Sequence, residues 1–197
     1  MTNKYDLIKM QERLQKKLTA DRYQHTLGVM YTCASLAMRH HCDLEKAMVA
    51  GLLHDCAKCI ANDKKISICE KNGIAITEAE RENPHLLHAK AGAFLAKTKY
   101  GVADPEILNA IRYHTTGKAD MTLLEKITYL ADYIEPWRAK APNLEEIRKD
   151  AFCNLDRTLY KVFRDTLQYL RSIQASVDPT TQKAYEYYSN VYQKNIK

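Results

Sequence analysis

The chain has 197 residues, 46% of them apolar and 27% charged, the balance of an ordinary globule, which excludes a disordered or fibrous chain. Its net charge of +6 is dispersed, with Lys and Arg alternating with Glu and Asp. There is no basic tail of the kind that grips nucleic acid, and the expected partners are small anions, with no nucleic acid.

No apolar run approaches the roughly 20 residues that cross a bilayer, and the charged N-terminus lacks the apolar core of a signal peptide. No membrane is expected, and the cytoplasm is the expected compartment. Six Gly and five Pro leave few turns, which favours long helices. In chain order, residues 6–18 carry Leu7, Ile8, Leu14 and Leu18 between charges and read as a first helix. Asp21 is placed to cap a second, running to about His40 with Leu27, Met30, Cys33 and Leu36 on its apolar face. Asp43 caps a third, through Met48, Val49, Leu52, Leu53 and Cys56. A fourth over 63–72 stops at Gly73, and a fifth from about His85 to Tyr100 stops at Gly101, glycine being the residue that turns left-handed without steric cost.

Asp104-Pro105-Glu106 supplies a cap, a proline at the first helical position and a first-turn acid. Thr122 and Glu125 form a capping box, and the helix they open ends near Glu135-Pro136. Asn143 starts a short helix, Leu155 to Ile173 forms a long one, and Asp178-Pro179 starts the last, which is Tyr-rich. That last stretch reads as packing or as a homodimer surface. The expected fold is all-α, one domain over 1–197. A helical bundle with a metal centre in its core covers about 20–135, and an added C-terminal helical layer covers about 143–197.

A buried carboxylate needs an ion pair or a metal. Asp55 lies among Leu52, Leu53, Cys56 and Ala57, and Asp132 among Tyr129, Leu130, Ala131 and Ile134. Adjacent helical positions diverge by about 100°, so His54 and Asp55 share one site only if it sits over the ridge between them. Ala50 and Gly51, one turn back, allow close approach there. His25 and His114 come from separate helices. Of His85 and His88 we choose His88, because Ala89, Ala91, Gly92 and Ala93 follow it, whereas His85 follows Pro84 at a helix start where exposure is expected. His40 and His41 are explained by a helix C-terminus. The candidate metal ligands are therefore His25, His54, Asp55, His88, His114 and Asp132, drawn from five helices toward one bundle core. The six cysteines read as small buried residues. The pair Cys56-x-x-Cys59 has no second pair and reads as mid-helix, so packing is preferred to redox or zinc chemistry.

The order His25, His54-Asp55, His88, His114, Asp132 resembles the ligand pattern of HD-domain metal-dependent phosphohydrolases. The strings Arg22-Tyr-Gln-His-Thr-Leu27, Gly51-Leu-Leu-His-Asp-Cys-Ala-Lys58, Asn83-Pro-His-Leu-Leu-His-Ala89, Asn109 to Gly117 and Leu123 to Pro136 resemble the bacterial YqeK family in particular. Ala89 departs from that pattern, where Gly is expected after the ligand histidine. The resemblance implies a di-iron enzyme that splits diadenosine tetraphosphate symmetrically into two ADP. It also implies nucleotide contacts over Ala175 to Thr180, including Ser176 and Thr180. Mn, Zn, Co or Mg in place of Fe, and GDP in place of ADP, stay open.

The donor set suits borderline divalent metals. Asp55 has two oxygens and is the natural bridge. His25, His54, Asp55 and Asp132 are assigned to one metal, and Asp55, His88 and His114 to the other. Two metals about 3.5–4 Å apart share a hydroxide that attacks phosphorus in line, so Asp55, His88, His114 and Lys58 are the expected catalytic set. Lys58, one turn after His54, is expected to reach the phosphates. Arg22 and Arg138, which alone would read as surface cations, are candidate phosphate contacts beside the ligands, and Thr115 offers a hydroxyl next to His114. The substrate is thereby expected to meet Arg22, His25, Asp55, Lys58, His88, His114, Thr115, Asp132 and Arg138. Two other functions fit the same residues: a mononucleotide-directed HD phosphohydrolase, and a nucleotide-binding regulator without turnover.

Overall fold

Side-chain caps set most helix starts in this computed structural model, which describes residues 4–194. Eleven α-helices form, and no strand occurs among the described residues. α1 (Leu7–Gln15) is capped by Asp6. α2 (Ala20–His40) is opened by Thr19, whose hydroxyl accepts the Arg22 N–H at 3.3 Å. Asp21, expected to be the cap, lies one residue inside, where its charge favours the N-terminal end of the helix dipole. α3 (Leu44–Leu53) starts on the Asp43 cap as expected.

The end of α3 differs from the sequence reading. The helix stops at Leu53, and His54 to Lys58 continue as tight turns, with the Cys56 and Lys58 N–H groups donating three residues back, to Leu53 and Asp55. His54 Nδ1 meanwhile takes the Gly51 carbonyl at 2.7 Å. His54-Asp55 therefore projects from a helix end rather than over a helix ridge, and Cys56 and Cys59 are not mid-helix.

α4 (Asn62–Lys71) ends before Gly73, which is left-handed with φ +64°. A helix absent from the sequence reading follows, α5 (Glu78–Glu82), opened by a capping box between Thr77 and Glu80. A short 3-10 turn over Pro84–Leu87 then leads into α6 (His88–Tyr100), so His85 belongs to the turn and His88 begins the helix. α7 (Pro105–Tyr113) and α8 (Leu123–Ile134) keep their expected cap and capping box. α9 (Leu144–Ala151) follows Asn143, which is left-handed and directs its side chain to Asp165 instead of capping. α10 (Leu155–Ser172) and α11 (Pro179–Lys194) complete the chain.

α3 packs against α2, α7 and α8, and α6 packs against α7. Gly51 sets the α2–α3 approach: a Cβ there would lie 2.9 Å from the Met30 Cα and from the Cys33 Sγ. α10 packs on α8 and α11, burying Leu159, Val162, Phe163 and Tyr188 with Ile127 and Leu130 in one continuous apolar cluster. A fully buried side chain of this size contributes about 1.5–3 kcal/mol. The Tyr188 hydroxyl accepts the Met121 N–H at 3.0 Å. The Tyr-rich α11 is engaged in packing, with Tyr192 stacked on Tyr160 of α10 at 4.5 Å. No helix is long and apolar enough to cross a membrane among the described residues.

Candidate metal centre

Helix ends bring the centre together. α2 carries Arg22 and His25 in its first turns, the end of α3 delivers His54, Asp55 and Lys58, and α6 opens with His88. His114 and Thr115 follow the last residue of α7, and Asp132 lies in the last turn of α8. At Gly92, α6 lies against the turn after α3, where a Cβ would stand 3.4 Å from the His54 carbonyl oxygen, in ordinary van der Waals contact. Cys56 donates its thiol to the Gly92 carbonyl at 3.4 Å, away from the cluster. Its burial pushes that thiol up to about 12, which makes it an inert packing residue.

The two oxygens of Asp55 divide their neighbours into two sets. Oδ2 lies 3.4 Å from His54 Nε2, 3.9 Å from His25 Nε2 and 2.8 Å from Arg22 Nη1. Oδ1 lies 3.1 Å from His88 Nε2, 3.6 Å from His114 Nε2 and 3.8 Å from Lys58 Nζ. Asp132 joins the first set, its Oδ1 being 3.0 Å from His25 Nε2 and 3.9 Å from His54 Nε2.

Each imidazole is oriented through its other nitrogen. Nδ1 of His54, His88 and His114 meets the carbonyl three residues back, of Gly51, His85 and Ile111, at 2.7, 2.5 and 2.7 Å. Nδ1 of His25 meets Glu135 Oε1 at 3.0 Å. Carbonyl and carboxylate oxygens only accept, so Nδ1 carries the proton and a neutral ring keeps its lone pair on Nε2, facing inward. The Nε2 atoms of His88 and His114 then face each other at 3.1 Å. Nε2 of His25 and His54 and Oδ1 of Asp55 are buried without a hydrogen bond. Electron pairs converging in this way fit divalent cations. Three subsets have donor atoms within 4.8 Å of one another: His25, His54 and Asp55; His54, His114 and Asp132; and Asp55, His88 and His114.

Electrostatics prepare the donors. Burial raises the Asp55 carboxyl, but the surrounding rings of His54, His114 and His88 outweigh it and hold it well below the usual carboxylate range. Asp132 is likewise lowered, its burial outweighed by the neighbouring His25, His54 and Arg138. Burial is the main reason that His88 falls to about 4, so it is a neutral donor at neutral pH. Burial also depresses His25, yet the carboxylates of Asp132 and Glu135 beside it leave it above the ordinary value.

All six expected ligands converge, with Lys58, whose Nζ is 3.2 Å from His88 Nε2, and Thr115, whose hydroxyl is 3.2 and 3.1 Å from Nε2 of His88 and His114. Arg22 and Arg138 are not free surface cations: they pair with Asp55 and Asp132 at 2.8 and 2.7 Å. Ser176 and Thr180 are not brought to the cluster. Ser176 Oγ accepts from Asn83, and the Thr180 N–H donates to Asp178. His40 is bonded to the Ala151 carbonyl, remote from the centre, and His85 is exposed. Glu135 was missed by sequence reasoning, although a carboxylate three residues after Asp132 on an otherwise buried helix end was a usable signal.

The HD domain family model matches residues 22–137. The chain is 42% identical over 176 residues to a symmetrical bis(5'-nucleosyl)-tetraphosphatase of Bacillus subtilis, covering 88% of this chain and 92% of that one. It is 35% identical to a protein of the same description from Staphylococcus aureus, covering 92% and 94%. A crystal structure from Clostridium acetobutylicum, described as a predicted HD superfamily hydrolase involved in NAD metabolism, aligns with a TM-score of 0.91 at 40% identity, covering 94% and 98%.

Proposed function

The chain belongs to the HD domain family, and on that premise we propose that it is a metal-dependent hydrolase that splits diadenosine tetraphosphate symmetrically into two ADP. The observation that carries this reading is the division of four inward-facing imidazoles between the two oxygens of Asp55. Relatives of nearly full-length similarity described as symmetrical tetraphosphatases supply the substrate.

In this reading His25, His54, Asp55 and Asp132 hold one divalent metal, and Asp55, His88 and His114 hold the other. Two such cations supply a water acidified toward neutrality and neutralise phosphate charge in the transition state. The donors are nitrogen and oxygen only, a set that suits Fe, Mn, Zn or Co. We favour iron, on the resemblance to the YqeK family.

The chain's own groups do the rest. Lys58 and Thr115 present a cation and a hydroxyl on the Oδ1 side of Asp55 for phosphate oxygens. Arg22 and Arg138 stand on the other side, where a polyphosphate competes for the guanidinium groups with Asp55 and Asp132. Backbone carbonyls hold three imidazoles in one tautomer, so little reorganisation is needed when substrate arrives.

The test is a product assay and a metal analysis on one anaerobic preparation. ADP is expected as the sole nucleotide product from diadenosine tetraphosphate, and AMP with ATP would exclude symmetric cleavage. Asp55→Ala should lose activity together with at least one of the two metals. A variant that kept both metals would rule out Asp55 as the bridge.

A further inference from the structure

Asp55 divides the centre into two flanks. On the Oδ1 side, the chain runs past Thr115 to Thr116, whose carbonyl accepts the Thr181 hydroxyl at 3.0 Å. On the Oδ2 side, a separate cleft of about 550 Å³ is lined by Trp137 with the cations Arg22, Arg138 and Lys140 and the carboxylates Asp21 and Glu135. A second groove of about 650 Å³, with Leu27, Tyr31 and Phe152 in its wall, adjoins this cleft and shares Trp137 and Gln24 with it.

Trp137 is the only tryptophan in the chain, and its residue is 67% exposed. A single exposed aromatic residue is ordinary. The way its backbone is held is not. Arg148 donates to the carbonyls of Ile134, Glu135 and Arg138 at 2.9, 2.9 and 2.8 Å, fastening the turn on both sides of Trp137. The Trp137 N–H donates to Glu135 Oε2 at 2.8 Å, while Oε1 of the same carboxylate engages His25. Gly28 leaves room for this arrangement, since a Cβ there would stand 2.6 Å from Glu135 Oε2 and 3.5 Å from the indole Cδ1. The turn is thus fastened by Arg148 and tied to His25 through Glu135, and it leaves the indole open in a cleft shared with three cations. That is a preorganised aromatic face in one cleft with three cations, of which Lys140 pairs with neither Asp55 nor Asp132.

We propose that this cleft binds one nucleoside diphosphate half of the substrate, with the Trp137 indole as the platform for its base and Arg22, Arg138 and Lys140 facing its phosphates. The inference rests on the dinucleotide reading above. A molecule cut at its midpoint extends an anionic chain ending in a purine on both sides of the cut. The Oδ2 flank brings cations and an aromatic face into one cleft, the two kinds of group that such a half presents. The cleft volume lies within the range of small-molecule sites, and base stacking on an aromatic ring tolerates any base.

Because Trp137 is the sole tryptophan, intrinsic fluorescence reads the platform directly. In the Mn-loaded protein, ADP and a methylene-bridged, uncleavable diadenosine tetraphosphate should quench the emission, whereas tripolyphosphate, which has no base, should not. Trp137→Ala should raise KM for diadenosine tetraphosphate roughly tenfold or more, with a smaller effect on kcat, and Trp137→Phe should recover most of the loss. Three results would each overturn the proposal: cleavage by wild type with no quench, unchanged KM in Trp137→Ala, or emission that changes with protein concentration alone, which would assign the groove to a second copy of the chain. A protein that quenches with ADP but does not cleave diadenosine tetraphosphate would remove the substrate reading and leave the nucleotide subsite standing.

Discussion

Glu135 shows how much a single residue outside the ligand set decides. One of its oxygens fixes the His25 ring at 3.0 Å, and the other receives the Trp137 N–H at 2.8 Å. The residue is buried, and it acts on the metal site only through His25, as a positioning residue. Partners of metal-ligating histidines typically contribute about 10- to 100-fold in metal affinity or activity. Glu135→Gln keeps the shape and removes the charge, so metal affinity should fall by about tenfold while the helical circular dichroism stays intact. Affinity within twofold of wild type would assign Glu135 to packing alone. Asp55 and Asp132 were legible as carboxylates where periodicity demands burial, His54 and His88 by the small residues beside them, and His25 and His114 by their place in the HD-type order. Glu135 was not singled out, because a glutamate before a proline at a helix end has an ordinary local explanation.

At the scale of elements, the caps read from Asp43, Asp104 and Thr122 reappear in the structure, and the last helix starts at Pro179 as read. A cap is made by atoms within three residues of one another, so local sequence contains all of its determinants. The end of α3 was not legible. Nothing within a few residues of Leu53 breaks a helix; what marks the end in the structure is the His54 imidazole taking the Gly51 carbonyl and the following N–H groups turning back three residues. Gly51 itself was legible as a place of close approach, and the structure identifies what approaches. Gly51→Ala would press a methyl group against the Met30 Cα, which cannot move without shifting α2. A loss of about 1–3 kcal/mol in stability is expected, visible as a lower denaturant midpoint with an unchanged slope. No change in midpoint would mean that the α2–α3 contact is looser than the structure describes.

For the whole molecule, the metal centre couples function to stability. α2, the α3 end, α6, α7 and α8 each contribute at least one of the converging donors, so a cation held there links elements far apart in sequence. A ligand bound only by the folded state stabilises it by about 2.7 kcal/mol when present at a hundredfold over its Kd. For a chain of this length that corresponds to a rise in Tm of about 5–10 °C. Chelation of the metal-loaded protein should remove that increment, and readdition of Mn or Fe should restore it. A Tm indifferent to chelator would place the bound metal outside the folded core. The C-terminal layer takes part in the same unit through Tyr188, which is fully buried and accepts the Met121 N–H.

The sequence by itself determined the all-α class, most helix starts and the identity of the six convergent donors. Helical period, caps and misplaced polar residues are interactions among near neighbours, and they are written locally. Only the tertiary structure decided which donor faces which oxygen of Asp55, that Arg22 and Arg138 pair with the ligand carboxylates, and that Glu135 links His25 to Trp137. The bond between His25 and Glu135 joins residues 110 positions apart. No local pattern encodes a distance of that kind; it is set by how the helices pack, through close approaches such as Gly28 and Gly51.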